Sequence, residues 1–246
     1  MARVLLVHQP TGGGVGRHVA DLAEGLRGRG HDVILCSPRP PTGAAERGDA
    51  RHLELGRAVS PRADGRAVVA LARIVRELRP EIVHAHSSKA GAVARLARTL
   101  HPATPLLYTP HGYAFSGYFE RSRERRAYRM IERAIAPFAS RVLCVCEAEA
   151  RLARSIGPAS RVRVVHNGIE PAGDVAPDAR VAALAAEGPL LGALTQLRPG
   201  KGLETLIDAT PALLAQHGGA RIAIVGEGPN LEALRCLLYT SPSPRD

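Results

Sequence analysis

The sequence contains no tryptophan, two methionines and only 3% aromatic residues. That scarcity removes the stacking platforms on which single-stranded nucleic acid is held. Lysine occurs at Lys89 and Lys201 alone, so the formal charge of +10 is almost entirely arginine. The arginines are not interleaved with aromatic residues, and no nucleic-acid partner is expected. Attraction to an anionic membrane surface remains compatible with this charge. The four cysteines (Cys36, Cys144, Cys146 and Cys236) have no disulfide-framework spacing, and Cys144-x-Cys146 lacks the CxxC spacing of a redox or zinc motif. No apolar run approaches the ~18 residues of a membrane span. The run Val4–Val7 is shorter than a signal-peptide core. A cytoplasmic, reduced protein is expected, with peripheral contact at the inner membrane face as an option.

What is present is ordinary for a globular chain: 246 residues, 45% hydrophobic and 23% charged. Short β-rich runs alternate with segments of helical period. Strands are predicted at Arg3–Val7, Asp32–Cys36, Glu81–His86, Leu106–Thr109, Val142–Val145 and Val162–Val165. Helices are predicted at Arg17–Arg29, Arg66–Arg79, Ser88–Leu100, within Ser116–Ala139 and at Glu147–Ser155. Ser37–Gly65 reads as a long loop in which Leu53–Leu55 pairs briefly. Parallel neighbours need crossover helices, so this alternation implies an α/β, doubly wound parallel sheet.

The composition changes after Glu170. Residues 1–170 are expected to form a first, doubly wound domain, 171–188 a linker with a short helical stretch near Ala179–Ala186, and 189–235 part of a second domain. The second contains a strand at Leu190–Thr195, a helix at Gly202–Gln216 and a strand at Arg221–Val225. The pattern of Leu231–Arg235 breaks off, and 236–246 reads as a disordered or non-native tail. A single β–α–β unit leaves sheet edges open, so the expectation is a truncated second domain, or one completed by a partner.

Polar and glycine-rich residues follow the strand ends, where doubly wound sheets bind ligands. Gly12–Gly16 follows the first strand and precedes a helix, an arrangement suited to an anion. It does not meet GxGxxG, and no acidic residue follows the second strand, which disfavours NAD; a tight turn without ligand fits it as well. Arg198-Pro199-Gly200-Lys201-Gly202 precedes a helix without satisfying a Walker A loop, and suits a diphosphate or a solvated basic turn. His84 and His86 share a strand face but lack further ligands at metal spacing, so no metal is expected. His111 follows a strand directly, beside Gly112; alone, it reads equally as a satisfied histidine. In the helix around Tyr118–Ala139, Tyr128, Ile131, Ile135 and Phe138 share a face and the flank is arginine-rich. Such a helix lies on an anionic membrane or packs as a surface helix.

Taken together, the segments GGGVGRHV (12–19), VHAHSSKAGAVARL (83–96), YTPHGYAF (108–115), VLCVCEAEA (142–150), VVHNGIE (164–170), LRPGKG (197–202) and IVGEGP (224–229) resemble glycosyltransferase family 4. Those are retaining nucleotide-sugar enzymes of GT-B fold. The resemblance implies two Rossmann-like domains, the first taking the acceptor and the second the sugar nucleotide. It implies Gly14 and Gly16 beside the donor phosphates or sugar, and His111 at the reacting centre in contact with the donor sugar. Lys201 is implied on the diphosphate, Glu227 near the nucleotide base, and His166-Asn167-Gly168 before the hinge. The family's His-Ser-Ser-Lys-Ala-Gly run points to saccharide or lipid-linked acceptors for cell-surface polysaccharide. No cofactor is implied: the nucleotide sugar is a substrate, and there is no DxD pair for a metal.

Two departures stand out. Gln196 replaces an arginine common in the family, a place Arg198 is expected to fill. The C-terminal segment carrying a spaced pair of glutamates is absent, so weak or no activity is expected of this polypeptide alone. The alternatives are a UDP-sugar 2-epimerase on the same fold and a non-catalytic acceptor- or membrane-binding fragment. An oxidoreductase is further off.

Overall fold

In the computed structural model, residues 1–40, 48–56, 58–116, 122–169, 173 and 175–240 are described. The chain divides into two compact units, Met1–Ile169 and Glu170–Asp246.

The first unit is built on a seven-stranded sheet in the order β3-β2-β1-β4-β5-β6-β7. Its strands are β1 (Arg3–His8), β2 (Asp32–Ser37), β3 (Ala50–His52), β4 (Ile82–His86), β5 (Leu106–Thr109), β6 (Arg141–Cys144) and β7 (Val162–Val164). Every neighbouring pair is parallel. The crossovers are α1 (Gly13–Gly28), α2 (Pro61–Leu78), α3 (Ser88–Arg98), α4 (Ser122–Ile135) and α5 (Glu147–Ile156). Buried on both faces, β1 is apolar almost throughout. Leu5 and Val7 join the core beneath α2 and α3, while Val4 and Leu6 pack with Val19 and Ala23 of α1. The expected α/β doubly wound class is the observed one.

Several boundaries differ from the sequence reading for identifiable reasons. Helix α1 starts at Gly13, four residues before Arg17, because Gly13 takes φ 67° and turns the chain directly into its first turn. Helix α2 starts at Pro61, not Arg66. Proline suits the first helical position, and the Asp64 carboxylate accepts the Ser60 N–H at 3.0 Å. The short strand is Ala50–His52; Leu53 and Leu55 are core residues beyond it.

Helix α4 is rotated from the expected face. Ile135 is buried and Tyr128 packs inward, but Ile131 is exposed, as is Phe138 in the 3-10 turn after the helix, and Glu132 takes an inward position. Its carboxylate pairs with Arg95 of α3 at 2.8 Å and accepts the Tyr108 hydroxyl at 3.2 Å. The Arg95 guanidinium lies 4.1 Å above the Tyr108 ring and donates to the Gly91 carbonyl at 2.9 Å. Tyr118, at the start of the expected helix, lies outside the described residues.

The second unit contains α6 (Ala179–Ala186), β8 (Leu190–Leu194), α7 (Leu203–Gln216), β9 (Arg221–Val225) and α8 (Leu231–Thr240), with β8 and β9 parallel. The expected linker 171–188 falls inside this unit. Helix α8 does not break at Arg235: it continues to Thr240, and Leu237 packs against Leu197, Leu203, Ile207 and Leu234. Of the expected tail, residues 241–246 lie outside the described residues. Among the described residues no helix is long and apolar enough to cross a membrane.

Glu132→Gln removes the charge partner of a buried guanidinium. A loss of about 3–5 kcal/mol is expected, read as a lower urea midpoint. An unchanged midpoint would show that the pair does not hold α4 to the sheet.

Candidate functional site

Because all strands of the first sheet run the same way, their carboxyl ends form one edge. The chain order reverses between β1 and β4, so the loops leaving these strands diverge and open a crevice. His8 and His86 end the two strands and lie opposite each other in the register. Helix α1 begins at this edge with an extended Gly12 cap, no side-chain cap and no acidic residue in its first turn. Its first backbone N–H groups and dipole are therefore uncompensated by any carboxylate there.

The glycines of this turn differ in what they do. A Cβ on Gly14 would meet nothing within 4 Å. A Cβ on Gly16 would overlap the Thr11 carbonyl, so Gly16 is required for the loop to close onto the helix. At Gly14, as at Gly12, the absent side chain leaves the space beside the backbone open.

One turn further along α1, His18 reaches the strand ends. Its ring centroid lies 4.8 Å from that of His111 and 5.5 Å from that of His86. His86 Nδ1 and His111 Nε2 are 3.1 Å apart, and His84 Nε2 is 2.8 Å from the Thr109 hydroxyl. The tertiary structure thus brings His18 and His111 to a pair that linear spacing left without companions.

Two residues here adopt unusual backbone for a side chain: Ser87 at φ 78° and His111 at φ 53°. Left-handed geometry at a non-glycine costs on the order of 1–3 kcal/mol and persists only where neighbours enforce it. Ser87 is held by its hydroxyl, which donates to the Gln9 carbonyl, and by its N–H, which donates to the Thr109 carbonyl at 2.9 Å. The turn at His111 is pinned by the buried Glu149 of α5. Its carboxylate accepts the Gly112 N–H at 2.6 Å and the Val145 N–H at 2.8 Å, fastening the loops after β5 and β6 together. Sequence reasoning passed over His18 and Glu149, although both lie inside quoted motifs. Lys89 is committed elsewhere, to Asp64 at 2.7 Å and to the Ala58 carbonyl.

Burial sets the protonation of this cluster. Loss of water brings His84 down to about 3 and His111 to about 4, and neighbouring imidazoles push both the same way. The same desolvation holds His8, His18 and His86 below the ordinary imidazole value. At neutral pH these rings are uncharged donors and acceptors.

Arg198, Lys201 and Glu227 belong to the second unit. Left-handed Gly200 (φ 79°) and Gly202 (φ 72°) flank Lys201, which is exposed just before α7. The loop of Arg198 and the loop of Glu227 are knitted by the Leu197 N–H to the Glu227 carbonyl at 2.8 Å and the Asn230 N–H to the Leu197 carbonyl at 3.0 Å. Cβ atoms on Gly226 or Gly228 would overlap the carbonyls of Thr195 and Leu197, so this approach requires glycine. The three residues therefore share one strand-end edge of their unit.

Residues 13–168, from the first turn of α1 to the segment after β7, match the model of the glycosyl transferase 4-like domain. The chain belongs to that family. Among characterised relatives, the Escherichia coli UDP-Gal:alpha-D-GlcNAc-diphosphoundecaprenol alpha-1,3-galactosyltransferase is 29% identical over 82 residues, 33% of this chain and 21% of its own length. A glycogen synthase of Mycobacterium tuberculosis is 26% identical over 252 residues, 88% of this chain and 58% of its own. Anabaena HepE, solved with UDP and glucose, superposes with a TM-score of 0.71 at 19% identity, covering 97% of this chain and 66% of that one. At that identity the likeness is one of fold, of GT-B type. The chain spans about a fifth and somewhat over half of the two relatives' lengths. The matched region contains His18, His84, His86, His111, Ser87 and Glu149, whereas His8 precedes it.

The depressed imidazoles fix a pH dependence. The unfolded chain takes up these protons near pH 6.5, whereas the folded chain resists until about pH 3–4. Between those values the unfolded state binds more protons, so stability is full above pH 6.5 and falls as the pH falls. At pH 5 a ring as buried as His84 accounts for about 2 kcal/mol. Thermal midpoints should drop from pH 7.5 to pH 5, with a smaller drop in His84→Asn. Parallel behaviour of the two proteins would contradict the assignment.

Proposed function

We propose that this chain is a glycosyltransferase that moves a sugar, with retention, from a nucleoside-diphosphate donor to a hydroxyl of a saccharide or lipid-linked acceptor. The observation that carries the reading is the neutral His111, strained and pinned by Glu149, beside the open N-terminus of α1 within a glycosyl transferase 4-like domain. The lipid-linked option draws on the Escherichia coli relative, whose acceptor is alpha-D-GlcNAc-diphosphoundecaprenol.

The hard step is breakage of the bond between the anomeric carbon and the diphosphate oxygen. Positive charge grows on the sugar and negative charge on the leaving group. Preorganised cations and N–H dipoles lower that barrier without a metal. In this reading Lys201 and Arg198 bind the diphosphate, and the Gly14 N–H at the helix end contributes a further donor. His111, uncharged at pH 7, touches the donor sugar, and Glu227 lies near the nucleotide base.

Titration with UDP and GDP, followed by calorimetry and by amide exchange at Gly14 and Lys201, tests this. Binding of one nucleotide with protection at both positions is expected, weakened about tenfold or more in Lys201→Ala. His111→Ala should lose transfer while keeping nucleotide affinity. Absence of binding to either nucleotide overturns the reading, and an epimerised sugar formed from donor alone assigns a 2-epimerase instead.

A lipid-linked acceptor would be met at a membrane, and α4 offers a suitable face. Met130 (72% exposed) and Ile131 (46%) stand among exposed Arg123, Arg126, Arg129 and Arg133, a combination suited to anionic lipid. Cosedimentation with phosphatidylglycerol vesicles is expected to exceed that with phosphatidylcholine vesicles, to weaken with salt, and to fall in Met130→Asp. Equal partition into both vesicle types rules this contact out.

A further inference from the structure

One ring nitrogen from each of His18, His86 and His111 lies within 4.8 Å of the other two. These residues come from α1, β4 and the loop after β5, so nothing in the linear sequence announces the group. We propose that His18, His86 and His111 form a binding site for a divalent transition-metal ion of the zinc class.

The donor set argues for that class. Three imidazole nitrogens with no carboxylate among them suit Zn²⁺, Cu²⁺ or Ni²⁺, whereas Mg²⁺ and Ca²⁺ take oxygen ligands. Tetrahedral zinc with Zn–N bonds of about 2.0–2.1 Å sets neighbouring nitrogens roughly 3.3–3.4 Å apart. The His86–His111 separation of 3.1 Å is already close to that edge. His18 closes the remainder by a side-chain rotation of up to about 1.5 Å, which a half-buried residue near a helix start accommodates. Each ligand must present a lone pair, and the rings are held neutral by burial. Binding needs only a tautomer change within the His86–His111 hydrogen bond, so no net proton is released.

The other ring nitrogen of His86 is also unusual. His86 is fully buried, yet its Nε2 has no hydrogen-bond partner. His8, opposite it in the β1–β4 register, carries another buried Nε2 in the same condition. A buried polar atom left unpaired costs about 1–3 kcal/mol, and the ion proposed on Nδ1 leaves this nitrogen as it is.

Three protein ligands leave a fourth position for water or an anion. The metal would engage His111 through the nitrogen that faces His86, so occupancy would withdraw that ring from the donor sugar. That inhibitory consequence rests on the proposed transferase reading; the binding itself does not.

Tag-free full-length chain is titrated with Co²⁺ at pH 7.5 while the visible d–d absorption is followed, then with Zn²⁺ in competition. Saturation at one ion per chain, with the intensity of a tetrahedral site and displacement by Zn²⁺, is expected. His18→Ala, checked for folding by circular dichroism, should bind at least about tenfold more weakly, and His101→Ala as tightly as the wild type. Lack of a saturable signal, or wild-type affinity in both His18→Ala and His111→Ala, overturns the site. UDP and GDP titrations of metal-free chain report on the transferase reading alone, so each claim fails separately.

Discussion

The direct parallel pairing of β1 with β4 is the constraint on which the carboxyl edge of the first unit depends. It sets His8 level with His86 and sends α1 and α3 to opposite faces of the sheet. The crevice at that reversal then lies beneath the glycine turn. Slip the register by one residue and every side chain on β4 changes face: His84 and His86 would enter the apolar core beneath α2 and α3, and Val83 and Ala85 would take their places at the edge.

Around that pairing the structure holds polar and strained groups that would be costly elsewhere. Glu149 spends its two oxygens on backbone N–H groups of neighbouring loops, and so holds His111 in a left-handed conformation. Ser87 performs a similar task between the loops after β1, β4 and β5. Away from the edge, Arg95 and Glu132 neutralise each other in the interior and fix the rotation of α4. The same pair explains why arginines and two apolar side chains of that helix are left facing outwards.

The two units differ in how they present charge. In the first, the edge is lined by neutral imidazoles and the N-terminal backbone N–H groups of α1, which no side chain caps. In the second, Lys201 and Arg198 supply formal positive charge on a loop made possible by close glycine contacts. Both arrangements favour an anion, by dipoles in one case and by full charges in the other.

The sequence by itself determined the sheet class and nearly every element, because runs such as Val4–Val7 and the helical stripe of Val19, Leu22 and Leu26 are local periodicities. It also located Gly14, His111 and Lys201 at strand ends, since turn chemistry is local too. Helix starts at Gly13 and Pro61 were missed because glycine and proline read as breakers unless the backbone angle and cap are known. The inward turn of Glu132, the clamp at Glu149 and the meeting of His18 with His86 and His111 were decided only by the tertiary structure. Each joins residues from different elements, and the burial that pairs Arg95 with Glu132 and strips charge from the imidazoles exists only once the sheet and its helices have excluded water.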